Sequence, residues 1–334
     1  MTLSLDTNDR PANLVANTTK LNAMNERDFR VGVVQAAPQY LDLRACVEKA
    51  VELIAQAARE SACLLAFPEV WLPGYPWWIW LGNDARPQLD QRYREQSFEF
   101  GSAAERTLAR AAAQHRIHVV MGMAERLGPH LYISQWLLDP HGQTLLRRRK
   151  VKPGPLERRM FAEGGADDLR VAETEIGRIG ALACAEHRHT LLKHAMHQQR
   201  EEIHIAAWPG YPLVGIPNML SPETFLAINR TYAVEASCYV LAPCATVTQT
   251  IRDMVCQTPA EAEHLPVGGG YAQIFGPSGE PLCTPLAPDE QGILIADVSL
   301  SAVAHARRAF DLAGHSARAD LLWLDGPACP REVN

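Results

Sequence analysis

Between Arg30 and Ala66 the chain writes a strand, a helix and a second strand in close succession, and this opening restricts the fold more than any other feature. Residues 30–36 form an apolar strand run. From Leu43 the apolar positions Leu43, Cys46, Val47, Ala50, Val51, Ile54 and Ala57 recur at helical spacing, and Ala62-Cys63-Leu64-Leu65-Ala66 follows without a polar face. Such a strand needs cover on both sides, and a helix with one apolar stripe supplies it on one. The opening is therefore β-α-β.

The same grammar continues. A helix over 103–114 precedes a strand over 117–122, and the segments 131–138 and 144–149 flank Pro140-His141-Gly142, which predicts an antiparallel hairpin. Strands over 169–173, 179–183, 203–207, 238–243, 271–275 and 293–298, with helices over 190–200 and 224–236, fill the second half. About a dozen strands against about five helices are best satisfied by two mixed sheets packed face to face with helices outside. The expected fold class is α/β, a four-layer α-β-β-α sandwich. No Pro/Gly/Ser linker divides the chain, so residues 29–320 are expected to form a single domain. Residues 1–28, with five Asn and little apolar periodicity, read as a flexible N-terminal tail, and 321–334 as a C-terminal tail.

Composition narrows the function. The formal charge of −6 argues against nucleic acid or an anionic membrane as partner, and the partner class left is a small molecule. No run approaches the apolar length of a membrane span, and the start MTLSLDTNDR lacks a basic segment followed by an apolar one, so a cytoplasmic protein is expected. The cysteines at 46, 63, 184, 238, 244, 256, 283 and 329 contain no C-x-x-C pair, which fits neither a disulfide framework nor a zinc ribbon. A reactive cysteine must be singled out by its neighbours.

Three polar residues stand immediately after apolar strands, where open α/β sheets place their sites: Glu69, Lys150 and Cys184. Together a carboxylate, an ammonium and a thiol make a nucleophilic site without histidine. The carboxylate takes the thiol proton and the lysine stabilises negative charge. Separately each has a plain reading, Glu69 as a solvated residue of a Pro-rich loop and Lys150 as part of an exposed basic run, 147–152.

The residues around these three resemble the nitrilase superfamily of carbon-nitrogen hydrolases, and within it the nitrilase branch. Phe67-Pro68-Glu69-Val70-Trp71-Leu72-Pro73-Gly74-Tyr75-Pro76-Trp77-Trp78 looks like that branch's glutamate motif. Arg149-Lys150-Val151-Lys152-Pro153 with Glu157 looks like its lysine motif, and Gly180-Ala181-Leu182-Ala183-Cys184-Ala185-Glu186-His187 like its nucleophile motif, followed by Trp208-Pro209. Arg230-Thr231-Tyr232-Ala233-Val234-Glu235 and Asp311-Leu312-Ala313-Gly314-His315 continue the order. The resemblance implies a Glu-Lys-Cys hydrolase of nitriles or amides that needs no cofactor and no metal. It makes Cys184 the nucleophile, Glu69 the base, Lys150 the charge stabiliser and Glu157 a second carboxylate holding Lys150. Tyr75, Ala185 and Trp208 become candidate substrate-binding residues. It further implies subunits paired through the helix after the nucleophile, as a homodimer or larger homo-oligomer.

This chain departs from the branch at Ala185, where most members carry Trp and where it is similar to enzymes that accept arylacetonitriles. Other departures are Tyr271, the run 164–168, Ser316 and Ala319. The rival within the superfamily is an amidase, since amide and nitrile share a thioester; a rival outside catalysis is a binding protein that keeps the fold. His187, His189, His194 and His197 raise a metal-hydrolase reading. On a helix from Thr190, however, Leu191, Leu192, Ala195 and Met196 form the apolar stripe, which puts His194 and His197 on a solvated or interface face. No H-E-x-x-H pattern completes a ligand set.

Overall fold

The computed structural model describes residues 28–82, 85–318 and 321. The N-terminal tail apart from Asp28, the C-terminal tail beyond Leu321, and Ala319, Asp320 and Cys329 lie outside the described residues. In the first half, β1 (Asp28–Gln35), α1 (Leu43–Arg59) and β2 (Ala62–Ala66) are followed by α2 (Pro87–Glu95), α3 (Ala103–His115), β3 (His118–Leu127), β4 (His130–Leu138) and β5 (Thr144–Arg149). The second half runs β6 (Ala172–Thr174), β7 (Gly177–Ala183), α4 (Thr190–Gln198), β8 (Ile203–Ala207), α5 (Pro222–Ala236) and β9 (Tyr239–Ala242). It ends with α6 (Gln249–Val255), α7 (Pro259–His264), β10 (Gln273–Phe275), β11 (Gly292–Ser299) and α8 (Leu300–Ala309).

The strands form two sheets. The first has the order β11-β1-β2-β3-β4-β5 and the second β10-β9-β8-β7-β6. β1, β2 and β3 are parallel, as are β7, β8 and β9, while the flanking strands run antiparallel, so both sheets are mixed. Alternation along the strands builds the layers. Val31, Val33, Leu64 and Val120 from the first sheet meet Ile179, Ala181, Ile205 and Ile274 from the second in one core. Val34, Leu65, Val119 and Met121 face the other way, onto Cys46, Ala50, Ile54 and Ala57 of α1 and Leu108 and Ala112 of α3. Ala195 and Met196 of α4 and Phe225 and Tyr232 of α5 cover the second sheet. The fold is the expected α-β-β-α sandwich.

α1 follows the predicted stripe, and its start is set by Asp42, whose side chain accepts from Ala45 N at 2.9 Å. Four short helices escape the sequence pattern for a common reason. In α2 only Tyr93 is buried, and α7 buries nothing, so neither carries a stripe to read; α6 and α8 bury two residues each. The strand expected over 169–173 is displaced to Ala172–Thr174, where it pairs with β7 across a turn at Glu175 and Ile176. The expected polar face of α4 needs correction. His197 is 9% exposed and meets the Tyr232 ring edge-on, whereas Leu191, assigned to the stripe, is 65% exposed. Contact with α5 turns the helix away from its own hydrophobic pattern.

The chain leaving β2 lies against β3, with Phe67 N donating to Val120 O and Leu72 N to Gly122 O. The contact is tight because residue 122 has no side chain. A Cβ there would stand 2.0 Å from the Pro68 carbonyl oxygen and 3.2 Å from Glu69 Cα. Gly122→Ala should therefore cost about 1–3 kcal/mol of stability by overpacking. Denaturant midpoints check this against Gly165→Ala, whose Cβ would meet nothing within 4 Å.

Candidate active site

Glu69, Lys150 and Cys184 leave the ends of β2, β5 and β7, so two strands of one sheet and one of the other deliver them to a common point. Lys150 Nζ donates to Glu69 Oε1 and to Glu157 Oε2, both at 2.7 Å. Glu157 also accepts from Gly154 N at 2.6 Å and from the Tyr75 hydroxyl at 3.0 Å. Glu69 differs. Its second oxygen, Oε2, is buried without a hydrogen-bond partner. One ligand atom from each of Glu69, Glu157 and Cys184 lies within 4.8 Å of the others, and the Lys150 ammonium supplies the cation this acidic cluster needs.

The electrostatics follow from burial. Desolvation lifts the Glu69 carboxyl to about 8, with Lys150 opposing the rise and Glu157 adding to it. The Cys184 thiol is pushed well above its ordinary value by desolvation and then by Glu69, with Lys150 pulling the other way. For Lys150, burial is the largest influence and works against the charge. Glu157 and Glu69 together overcome it and hold the ammonium well above the ordinary lysine range.

Cys184 occupies a sharp elbow, with φ of +47°, at the start of the 3-10 turn Cys184–Arg188. A left-handed non-glycine residue costs on the order of 1–3 kcal/mol and persists only when its surroundings fix it. Glu186 is one such fixture. Its carboxylate accepts from Ala183 N at 2.8 Å, from Val151 N at 2.7 Å and, on both oxygens, from Arg148 Nη2 at 2.8 and 2.9 Å. It thereby joins the cysteine elbow to the lysine loop. Burial opposes its charge, but Arg148 holds the Glu186 carboxyl below the usual range.

Cys184 opens into a cavity of about 400 Å³. Tyr75 and Ala185, both expected at the substrate, line it, together with Trp77, Trp80, Leu156, Tyr211, Leu213 and Met219. The wall is mostly apolar. Trp208 is placed behind it. Its ring is fully buried, donates to Asn229 Oδ1 at 3.1 Å and stacks on His187, while its carbonyl accepts from Glu69 N at 3.3 Å. Lys152, the neighbour that could be mistaken for Lys150, pairs with Glu163 at the surface.

The chain matches the carbon-nitrogen hydrolase family model over residues 30–308. It belongs to that family. A nitrilase from Pseudomonas syringae pv. syringae is 46% identical over 298 residues, 89% of each chain. An arylacetonitrilase from Aspergillus oryzae is 40% identical over 308 residues, 90% of this chain and 92% of its own. In structure, a carbon-nitrogen hydrolase from Helicobacter pylori aligns with a TM-score of 0.71 at 18% identity, over 88% of this chain and 97% of the other.

Arg148 and Glu186 are the site residues that sequence reasoning missed. Arg148 lies in a basic run that reads as an exposed face, yet it is 1% exposed because its own strand turns it inward toward Gln135 and Glu186. Glu186 could have been found from its place two residues after the nucleophile. Removing a neighbouring negative charge should ease ionisation at the site, since Glu157 raises both Glu69 and Cys184. Glu157→Gln is expected to move the pH dependence of Cys184 alkylation by iodoacetamide to lower pH, read by peptide mass spectrometry between pH 6 and 10.

Proposed function

We propose that this carbon-nitrogen hydrolase is a nitrilase that converts an organic nitrile and two waters into a carboxylic acid and ammonia. The observation that carries the reading is the Glu69 carboxylate, with one oxygen held by Lys150, the other buried without a partner, and a carboxylate oxygen within 4.8 Å of the Cys184 sulfur. Glu69 takes the thiol proton as sulfur attacks the nitrile carbon, and passing that proton to the nitrogen gives a thioimidate. Water activated by Glu69 adds to it, ammonia leaves, and a thioester remains. A second water then releases the acid and restores the thiol. Lys150 faces the negative charge that develops on the way, and Glu157 holds Lys150. This chemistry uses the chain's own side chains and water.

The apolar cavity supports an arylacetonitrile as substrate, with Tyr75 and Ala185 against it and Trp208 bracing the wall. We also assign residues 29–320 to one catalytic domain. Leu191 on α4 and Val234 on α5 are 65% and 45% exposed, which favours pairing of subunits through these helices as a homodimer or larger homo-oligomer. Seven described cysteines are free, as a reducing compartment such as the cytoplasm would keep them. No helix of the described residues is long and apolar enough to cross a membrane.

Two experiments test this. A panel of aliphatic, aromatic and arylaceto nitriles and amides, scored for ammonia, acid and amide, should show nitrile turnover. Cys184→Ala should abolish it while Cys63→Ala retains it, and intact-protein mass spectrometry on a slow substrate should find the acyl or thioimidate adduct on the Cys184 peptide. Turnover confined to amides would replace nitrilase by amidase, and none at all would favour a binding protein. In the second, Ala185→Trp fills the space beside the nucleophile. It should lower the phenylacetonitrile-to-aliphatic rate ratio and alter the acid-to-amide ratio. Unchanged ratios in a folded, active variant would remove residue 185 from substrate selection.

A further inference from the structure

Behind the elbow lies a line of buried polar side chains that the hydrolytic chemistry leaves unused. His187 Nδ1 stands 2.9 Å from the Cys184 carbonyl oxygen, and its Nε2 stands 2.9 Å from His204 Nε2. His204 Nδ1 lies 2.8 Å from Glu201 Oε2, and the Tyr232 hydroxyl donates to Glu201 Oε1. All four side chains are at most 1% exposed.

Proton counting gives this row a direction. A carbonyl can only accept, so the His187 contact requires a proton on Nδ1, which leaves Nε2 as an acceptor in the neutral ring. His204 must then carry a proton on Nε2. One more proton lies between His204 Nδ1 and Glu201, and either partner can hold it without altering the rest. Without that proton, one contact must fail. An imidazole lone pair faces the Glu201 carboxylate, or His204 alone changes tautomer and two lone pairs meet between the rings, or both rings change tautomer and His187 turns a lone pair toward the Cys184 carbonyl.

We propose that His187, His204 and Glu201 are positioning residues which hold the nucleophile elbow through the Cys184 carbonyl, and that losing the shared proton releases it. The proposal deepens the nitrilase reading and rests on it only where turnover is measured. Burial favours a retained proton, and most of the groups facing the row oppose it. Tyr232 comes from α5, His197 from α4, Arg307 from α8 and Arg148 from β5, with Cys238 ahead of β9 and Glu186 beside His187. Burial, the largest influence on Glu201, lifts its carboxyl out of the usual range, against His197, the Tyr232 hydrogen bond and Arg307.

Glutamine at 201 can accept from Tyr232 and donate permanently to His204, so it fixes the row in its holding direction. Glu201→Gln should stay within threefold of wild-type kcat at pH 7 and lack the part of the alkaline decline that comes from this row. Glu201→Leu and His187→Phe should lose at least tenfold in kcat with KM changed less than threefold. In wild-type protein labelled with 15N-histidine, His187 should carry its proton on Nδ1 and His204 on Nε2 at pH 7, with the pattern lost or reversed at high pH. Tautomers opposite to these, or unchanged to pH 10, would overturn the proposal, as would a folded Glu201→Gln variant as impaired as Glu201→Leu. If Glu201→Gln fails to fold, the wild-type spectra decide. Those spectra need no substrate, so a chain with the expected tautomers and no nitrile turnover would refute the nitrilase reading and not the row.

Discussion

The Lys150 ammonium, enclosed between Glu69 and Glu157, is the interaction on which the site depends. Its side chain has no exposed surface, and an ammonium taken out of water loses several kcal/mol of solvation. Each ionised carboxylate at 2.7 Å restores about 6 kcal/mol at an effective dielectric of about 20. Both act to keep the charge in place, Glu157 the more strongly. The two carboxylates are not equivalent. Glu157 has donors on both oxygens, from Lys150, Gly154 and Tyr75, whereas Glu69 has Lys150 alone and an unpartnered Oε2. A proton arriving from sulfur has one open acceptor, and the asymmetry therefore divides the roles of holder and base.

That geometry survives only if the sheets keep their relative position, because Glu69 and Lys150 belong to one and Cys184 to the other. Core packing sets the distance between sheets but tolerates small slides. The buried Arg148–Glu186 pair, with one Nη2 shared between both carboxylate oxygens, spans the same gap, and Glu69 N on Trp208 O adds a main-chain tie. Such a buried pair is a poor source of net stability. Its effect here is to bind Val151, one residue past Lys150, and Ala183, one before Cys184, to the same carboxylate.

The sandwich and the convergence of Glu69, Lys150 and Cys184 were legible because each has a local signature. The stripe on α1, the apolar run at 62–66 and the polar residue after each of three strands are written in consecutive positions. Arg148, Glu186 and His204 were not legible, because their significance lies in partners 38, 35 and 17 positions away. A run of arginines on a strand gives no sign that one of them points inward. α4 shows the same limit from the other side, since contact with α5 buries His197 and leaves Leu191 exposed against the hydrophobic pattern.

The same distinction separates the reaction from its product. After water adds to a thioimidate, expelling ammonia leads to acid and expelling sulfur leads to amide. About 1.4 kcal/mol between the two barriers changes their ratio tenfold. This is comparable with the strain, on the order of 1–3 kcal/mol, carried by a left-handed residue such as Cys184. The same three side chains serve both exits. In the reading proposed above, the choice falls to whatever sets the angle of sulfur and nitrogen against Glu69 and Lys150: the elbow, the contacts that hold its carbonyl, and the volume left open at Ala185. Residue identity at three positions specifies the chemistry, while the product depends on how the surrounding structure aims it.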